Sequence, residues 1–365
     1  MAARLDLTDV VTTQRRSYGR TYLLLALLLA AAVVASASIG AFMFTPREIA
    51  RYLGEAAGWT PALESDSLGR SVFLNLRLPR VLMSGLTGAV LGVSGTLMQG
   101  VFRNPIVEPG LAGTSAGAAL GAALVFVLGG GTALAFTSTL GAMAVPVLAF
   151  AGAFAATMLV YRVSSSFGKV NVFTLLLAGI AVNAVCSAGT GFLSYVARDP
   201  QARNITFWNL GTFTTADWRS VSIVAVCFVL CFGWSLRSGK SLNALMLGED
   251  EAAFLGIDPS TLILRLLLVN TIMVAAATAM VGVIAFVGLV VPHVLRIMRS
   301  SDYQFLLPGS ALLGALMMEV IDVVARLVIP PAELPVGIIT AVVGAPVFLW
   351  ILLRNERQGS VGFYG

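Results

Sequence analysis

The chain has 365 residues, is 58% hydrophobic, and carries only 11% Asp, Glu, Lys and Arg, with a formal net charge of +5. A soluble domain carries about a quarter charged residues, so this composition excludes an ordinary soluble protein. It also excludes a nucleic-acid binder, because the basic residues lie between long apolar runs, where they orient a membrane chain.

A bilayer core about 30 Å thick needs roughly 20 apolar residues per helix. Ten apolar segments can be drawn, at 21–44, 81–102, 113–128, 136–161, 172–196, 221–236, 262–283, 285–295, 305–329 and 337–353. The runs are continuous instead of alternating, which predicts an all-α polytopic membrane fold with ten transmembrane helices. The first run imitates a secretion signal, with Arg15, Arg16 and Arg20 before it and "ASA" near its end. It is longer than the about 7–15 residues of a signal's apolar region, and more spans follow, so it reads as a transmembrane helix. An even number of spans puts residues 1–20 and 354–365 on one side. Arginine bias, with both lysines (Lys169 and Lys240), makes that side cytoplasmic.

Two segments are short. The third follows "FRNPIVEPGLAG", whose prolines and glycines cannot continue a helix, and the eighth, "AFVGLVVPHVLR", cannot cross a bilayer. They stand at corresponding places in stretches of opposite direction, the mark of a transporter with inverted repeats, here about 81–196 and 262–353 within a permease domain of 21–353. Ser84, Gly88 and Gly92 fall four apart in the second segment, as do Gly113, Gly117 and Gly121 in the third. Small residues at that spacing predict close helix packing.

Cys186, Cys227 and Cys231 lie inside apolar segments and form no C-x-x-C pair, so they read as small apolar packers. No metal site and no cofactor are expected. Gly239-Lys240-Ser241 imitates a phosphate-binding loop. The preceding glycine, Gly233, is one residue too distant, and the stretch before it is a membrane helix instead of a strand. The connection that follows, "SLNALMLGEDEAAFLGIDPST", carries an amphipathic piece over about 241–258. Leu245, Leu247, Ala252 and Leu255 offer apolar contacts, while Glu249, Asp250 and Glu251 are acidic. A helix lying on lipid favours basic residues, so this one suits docking of a soluble protein.

The stretches "LRLPRVL", "GTLMQGVFRNPIVEPGLAGTSAGAALGA", "TLLLAGIAVNA", "LGEDEAAFLGID", "AFVGLVVPHVLR" and "AELPVGIITAVVGAPVFLW" together resemble the FecCD-type permease subunits of ABC importers, which take up iron-siderophore complexes, haem and cobalamin. The likeness extends from about residue 76 to 353. It implies an inner-membrane homodimer with the pathway at its interface, two separate ATPase subunits on the cytoplasmic side and a periplasmic binding protein outside. It implies no enzymatic activity for this chain. By the same resemblance, Arg77, Arg80 and Arg326 receive acidic residues of the binding protein. Asn104, Ile106, Val172 and Phe173 form the cytoplasmic gate, with Val172 and Phe173 greasier and bulkier than the small hydroxyl residues of some cobalamin permeases. Leu247, Gly248, Glu249, Ala252, Leu255 and Gly256 form the ATPase-coupling helix.

For Arg326 an internal pair competes with docking, since Asp322 lies four residues and Glu319 seven residues before it on one helical face. "TFWNLGTFTTADW" and "LSYVARDPQARNI" look most like the haem branch, with ferric siderophore and cobalamin as alternatives. His293 reads as a helix-terminal residue, with haem ligation as the lesser alternative, and Tyr195 and Met98 read as core, with a place on the pathway lining as the alternative. An ion-coupled secondary transporter is the rival of another class. It would need an acidic relay, for which Glu319 and Asp322 are the candidates. No catalytic constellation can be assembled around one histidine.

Overall fold

The computed structural model describes residues 7–59, 61, 66–129, 140–166, 169–330 and 332–357. The apolar runs form helices because only helices satisfy every backbone group within one segment in lipid. α1 (Leu7–Ser38) is followed by the short amphipathic α2 (Pro46–Ala56). A capping box opens α2: Glu48 N–H donates to Thr45 Oγ1 at 3.3 Å, and Thr45 N–H donates to Glu48 Oε2 at 2.7 Å. Next, α3 (Ser67–Val72) runs through a π turn at Phe73–Arg77 into α4 (Leu78–Val101).

The remaining helices are α5 (Thr114–Leu128), α6 (Ala144–Ser164), α7 (Val172–Val196), α8 (Asp199–Leu210), α9 (Trp218–Arg237), α10 (Gly239–Leu245), α11 (Glu249–Phe254), α12 (Pro259–Val281), α13 (Val287–Met298), α14 (Tyr303–Leu327) and α15 (Val336–Arg357). Among the described residues the one strand pair is a two-residue antiparallel ladder, Ser165–Ser166 with Lys169–Val170, at the turn between α6 and α7.

Seven helices are long and apolar enough to cross a membrane, and three shorter apolar ones, Thr114–Leu128, Val287–Met298 and Val336–Trp350, complete the ten expected regions. Successive spans alternate in direction. The middle of α1 meets the start of α14, where Tyr22 Oη donates to Phe305 O at 3.1 Å, and their ends meet where Arg326 reaches Ser36, so the two helices run parallel. We call the end holding the start of α1 proximal and the other distal.

The core is built on α4, which packs antiparallel to α14 with almost no side chain between them. A Cβ at Gly88 would lie 2.1 Å from Gly314 O, and one at Gly92 2.3 Å from Ser310 O. The second small-residue stripe works the same way. A Cβ at Gly117 would sit 2.4 Å from Gly152 O, and at Gly121 2.1 Å from Leu148 O, so α5 and α6 touch backbone to backbone. Gly113 instead takes the left-handed conformation (φ +89) that starts α5.

Several boundaries differ from the sequence expectation. α1 begins at Leu7 instead of near residue 21, and the second span begins at Ser67 instead of near 81, because the π turn lets the helix continue outward. Residues 136–139 of the fourth segment lie outside the described residues, as do the tail residues 1–6 and 358–365. The single amphipathic helix expected over 241–258 is two helices. Gly248 (φ +138) breaks it, and a Cβ there would lie 2.0 Å from Glu251 Oε2.

Candidate docking, gating and coupling sites

At the distal end α1 finishes with carbonyls that no later turn of helix can satisfy. Two arginines from elsewhere take them. Arg326, in the last turn of α14, donates from Nη1 to Ser36 O at 3.1 Å and to Ile39 O at 2.5 Å, and from Nη2 to Ser36 Oγ at 2.8 Å. Arg77, on the π turn, donates to the same Ile39 O at 2.5 Å and to Phe42 O at 3.1 Å. Both are buried. A Cβ at Gly40 would lie 2.1 Å from an Arg77 guanidinium nitrogen, so the loop fits only without a side chain there.

Arg80 completes the cluster. Its fork binds Asp322 through Nε at 3.1 Å and Nη2 at 2.8 Å, and its Nη1 binds Glu333 at 2.7 Å. Asp322 is fully buried and also pairs with Arg326 Nε at 3.1 Å, the four-residue pair that the sequence spacing allowed. Of the three arginines expected to meet a binding protein, Arg77 and Arg326 therefore point inward and hold α1 to α14. Arg80, with 12% of its side chain exposed, faces the exposed Glu333. Glu319, the other acidic candidate, is buried against α4 at Gly85, where a Cβ would lie 3.1 Å from its Oε1.

At the proximal end the chain leaves α4 through Arg103, a non-glycine residue with φ +49, and turns at Asn104. Asn104 Oδ1 accepts from Ile106 N–H at 3.0 Å, the local turn that an Asn before Pro favours. Val172 and Phe173 open α7, whose N-terminus is capped by Asn171 Oδ1 accepting from Thr174 N–H at 2.9 Å. The two pairs occupy separate loops at the same end. Val172 is half-buried against the core, while the Phe173 ring is exposed.

The segment after α9 folds back on the same end. Asn243 Nδ2 donates to Asp302 Oδ1 at 2.7 Å and Asn243 Oδ1 accepts from Tyr303 N–H at 2.9 Å, fastening α10 to the start of α14. Ala252 is buried, whereas Leu247 (69%), Leu255 (64%) and Phe254 (91%) are exposed. Phe254 was not singled out in the sequence, although it lies one residue before Leu255.

Arg103 was also missed. Its Nη2 reaches Glu249 Oε1 at 2.9 Å, joining the Asn104 turn directly to the first residue of α11. A separation of 146 positions in sequence hid that pair.

The Gly-Lys-Ser stretch is the helix α10, with Gly239 pressed on Gln304, and no strand precedes it. Met98 is core as expected. Tyr195 is not: it stands 88% exposed in the last turn of α7, where no helix among the described residues covers its side chain. His293 is buried within α13. No group of three or more His, Cys, Asp or Glu is placed to hold a metal among the described residues.

The FecCD transport family matches residues 27–354. The hemin transport system permease protein HmuU of Yersinia pestis is 39% identical over 336 residues, covering 92% of this chain and 96% of the relative. The vitamin B12 import system permease protein BtuC of Salmonella typhi is 37% identical over 347 residues, covering 94% of this chain and 98% of the relative. A solved inward-facing conformation of a metal-chelate type ABC transporter superposes with a TM-score of 0.79 at 30% identity, covering 92% of this chain and 99% of that one.

Proposed function

The chain belongs to the FecCD transport family, and from that premise we propose that it is the transmembrane subunit of an ABC importer whose cargo is haem. The observation that carries the cargo is the 39% identity to a hemin permease along 92% of the chain. Vitamin B12 is the second reading, favoured by the 37% identity to a vitamin B12 permease over 94% of the chain.

In this reading the chain hydrolyses nothing. Two copies form the conduit in a bacterial inner membrane with the proximal end cytoplasmic, and the halves 81–196 and 262–353 act as inverted repeats. Separate ATPase subunits dock on α10 and α11 through Leu247, Gly248, Glu249, Ala252, Leu255 and Gly256. The exposed Leu247, Phe254 and Leu255 support this, since water-exposed apolar side chains grouped on one short segment suit a protein partner.

The gate comprises Asn104, Ile106, Val172 and Phe173, and the exposed Phe173 ring supports an apolar seal. The Arg103–Glu249 pair gives a physical route by which movement of α11 reaches the Asn104 turn. A periplasmic binding protein meets the distal end at Arg80, with Arg77 and Arg326 contributing through their field and through the shape they impose.

The test is uptake into proteoliposomes containing the chain, its ATPase and its binding protein. ATP-dependent accumulation of haem, with cobalamin and ferric siderophore excluded, is expected. Accumulation of cobalamin alone moves the cargo to the second reading, and uptake driven by an ion gradient without ATPase overturns both.

A further inference from the structure

The turns that start two short apolar helices, α5 and α13, meet inside the bundle. Gly288, at the start of α13, lies against both Gly95 of α4 and Pro109: a Cβ at Gly95 would lie 1.7 Å from Gly288 O, and a Cβ at Gly288 2.6 Å from a Pro109 ring carbon. Beside this junction is a cavity of about 350 Å³ lined by Glu108, Gly110, Ser115, Asn183, Ser187 and Asn209, together with neighbouring apolar residues. Its polar side chains are a carboxylate, two amides and two hydroxyls. No Lys, Arg, His or Cys lines it, and among the described residues Glu108 takes part in no ion pair.

Among the described residues Glu108 has one hydrogen bond, accepting at Oε1 from Phe286 N–H at 3.0 Å, at the left-handed residue that starts α13. Asn183 donates from Nδ2 to Gly110 O at 3.0 Å, which fixes its amide. Its Oδ1 is buried and has no hydrogen-bond partner among the described residues. A carboxylate without a basic partner and an orphaned carbonyl oxygen on the wall of one cavity are each costly away from bulk water. One positive charge between them satisfies both. The helix ends agree: α8 finishes at Leu210 and α12 at Val281, and both termini flank the cavity, where their partial negative charge favours a cation. The opposing N-terminus of α13 already has Glu108 on it.

We propose that this cavity is a binding site for a hard monovalent cation of the sodium or potassium class, held by Glu108, Asn183 Oδ1 and the hydroxyls of Ser115 and Ser187. Oxygen-only ligands select hard cations, and one carboxylate matches a single charge, whereas a divalent ion would leave net charge inside the membrane. The ion is a resident brace between the turns that start α5 and α13, distinct from the cargo and from the driving force.

The experiment is equilibrium binding of thallium(I), and of radiolabelled sodium, to the full chain in lipid nanodiscs. Saturable binding competed by sodium or potassium but not by choline is expected, and Glu108→Gln weakens it at least about tenfold. That substitution keeps an acceptor for Phe286 N–H and removes only the charge. Should it fail to fold, Asn183→Ser, which changes no charge, is the second variant and also weakens binding. Absence of saturable binding, as for a site that holds only a proton, or affinity unchanged in the folded variant, overturns the site.

Discussion

The two ends of the bundle treat their polar and apolar side chains in opposite ways. At the distal end three guanidiniums converge within a few ångströms, and all of them find partners in the chain itself: the carbonyls of Ser36, Ile39 and Phe42, and the carboxylates of Asp322 and Glu333. At the proximal end α10 and α11 bury Ala252 and leave Leu247, Phe254 and Leu255 in the open. The difference teaches where docking energy resides. A buried charge must be paired to exist, so the fold already uses it. An apolar side chain left outside the spans satisfies nothing within the chain, and what it lacks is a partner.

Replacement of residues at the two ends should therefore have opposite signatures. Arg326→Ala leaves Asp322 buried beside Arg80 alone and uncaps α1, which is expected to cost about 3–5 kcal/mol of stability. It is measured as a fall in the melting temperature of the purified chain, whether or not a binding protein is present. Wild-type stability would mean that the inward pairing is not needed by the fold. Leu255→Asp is expected to leave the melting temperature unchanged and to lower ATPase association about 30-fold or more, the size of a hot-spot loss. Co-purification at the wild-type level would move the coupling surface away from α11.

A smaller effect separates docking from transmission. The Arg103–Glu249 pair is about one-third exposed on both sides, which limits its worth to about 0.2–1 kcal/mol. Arg103→Ala is expected to keep ATPase binding intact and to reduce cargo uptake a few-fold per ATP hydrolysed. A parallel loss of ATPase binding would make Arg103 part of the docking surface instead.

Much of the fold was legible because run length and small-residue spacing are local properties. All ten apolar regions appear, the two short ones begin where Pro109, Gly113 and the turn at Phe286 forbid a continuing helix, and Gly88, Gly92, Gly117 and Gly121 are points of backbone contact. α2 and α8 were not foreseen, since neither is a long apolar run. Gly248 divides the segment that follows α9 into α10 and α11 through a conformation that an amphipathic pattern does not encode. The direction an arginine points was likewise not written in its motif. Arg77 looks the same in sequence whether it faces a partner or Ile39 O. Whether Tyr195 packs in the core was not legible, because an aromatic residue within an apolar run gives no sign of whether its face is covered.

The smallest expected effect bears most directly on Arg80. Reversing its charge would set a second carboxylate against the buried Asp322 and disturb the fold, so loss of docking after that change would be ambiguous. Glu333 offers a cleaner handle. It is partly exposed and occupies Nη1 of Arg80, the position that an incoming carboxylate would need. If a binding protein docks there, it must first displace Glu333. Glu333→Gln weakens that internal competitor while leaving the Arg80–Asp322 fork in place, and an exposed pair of this kind is worth at most about 1 kcal/mol. The binding protein should then associate up to about fivefold more tightly, with the gain larger at low salt, where an unpaired guanidinium attracts carboxylates over a longer range. Affinity that is unchanged, or reduced, at every ionic strength would mean that Arg80 serves the fold alone, like its two neighbours.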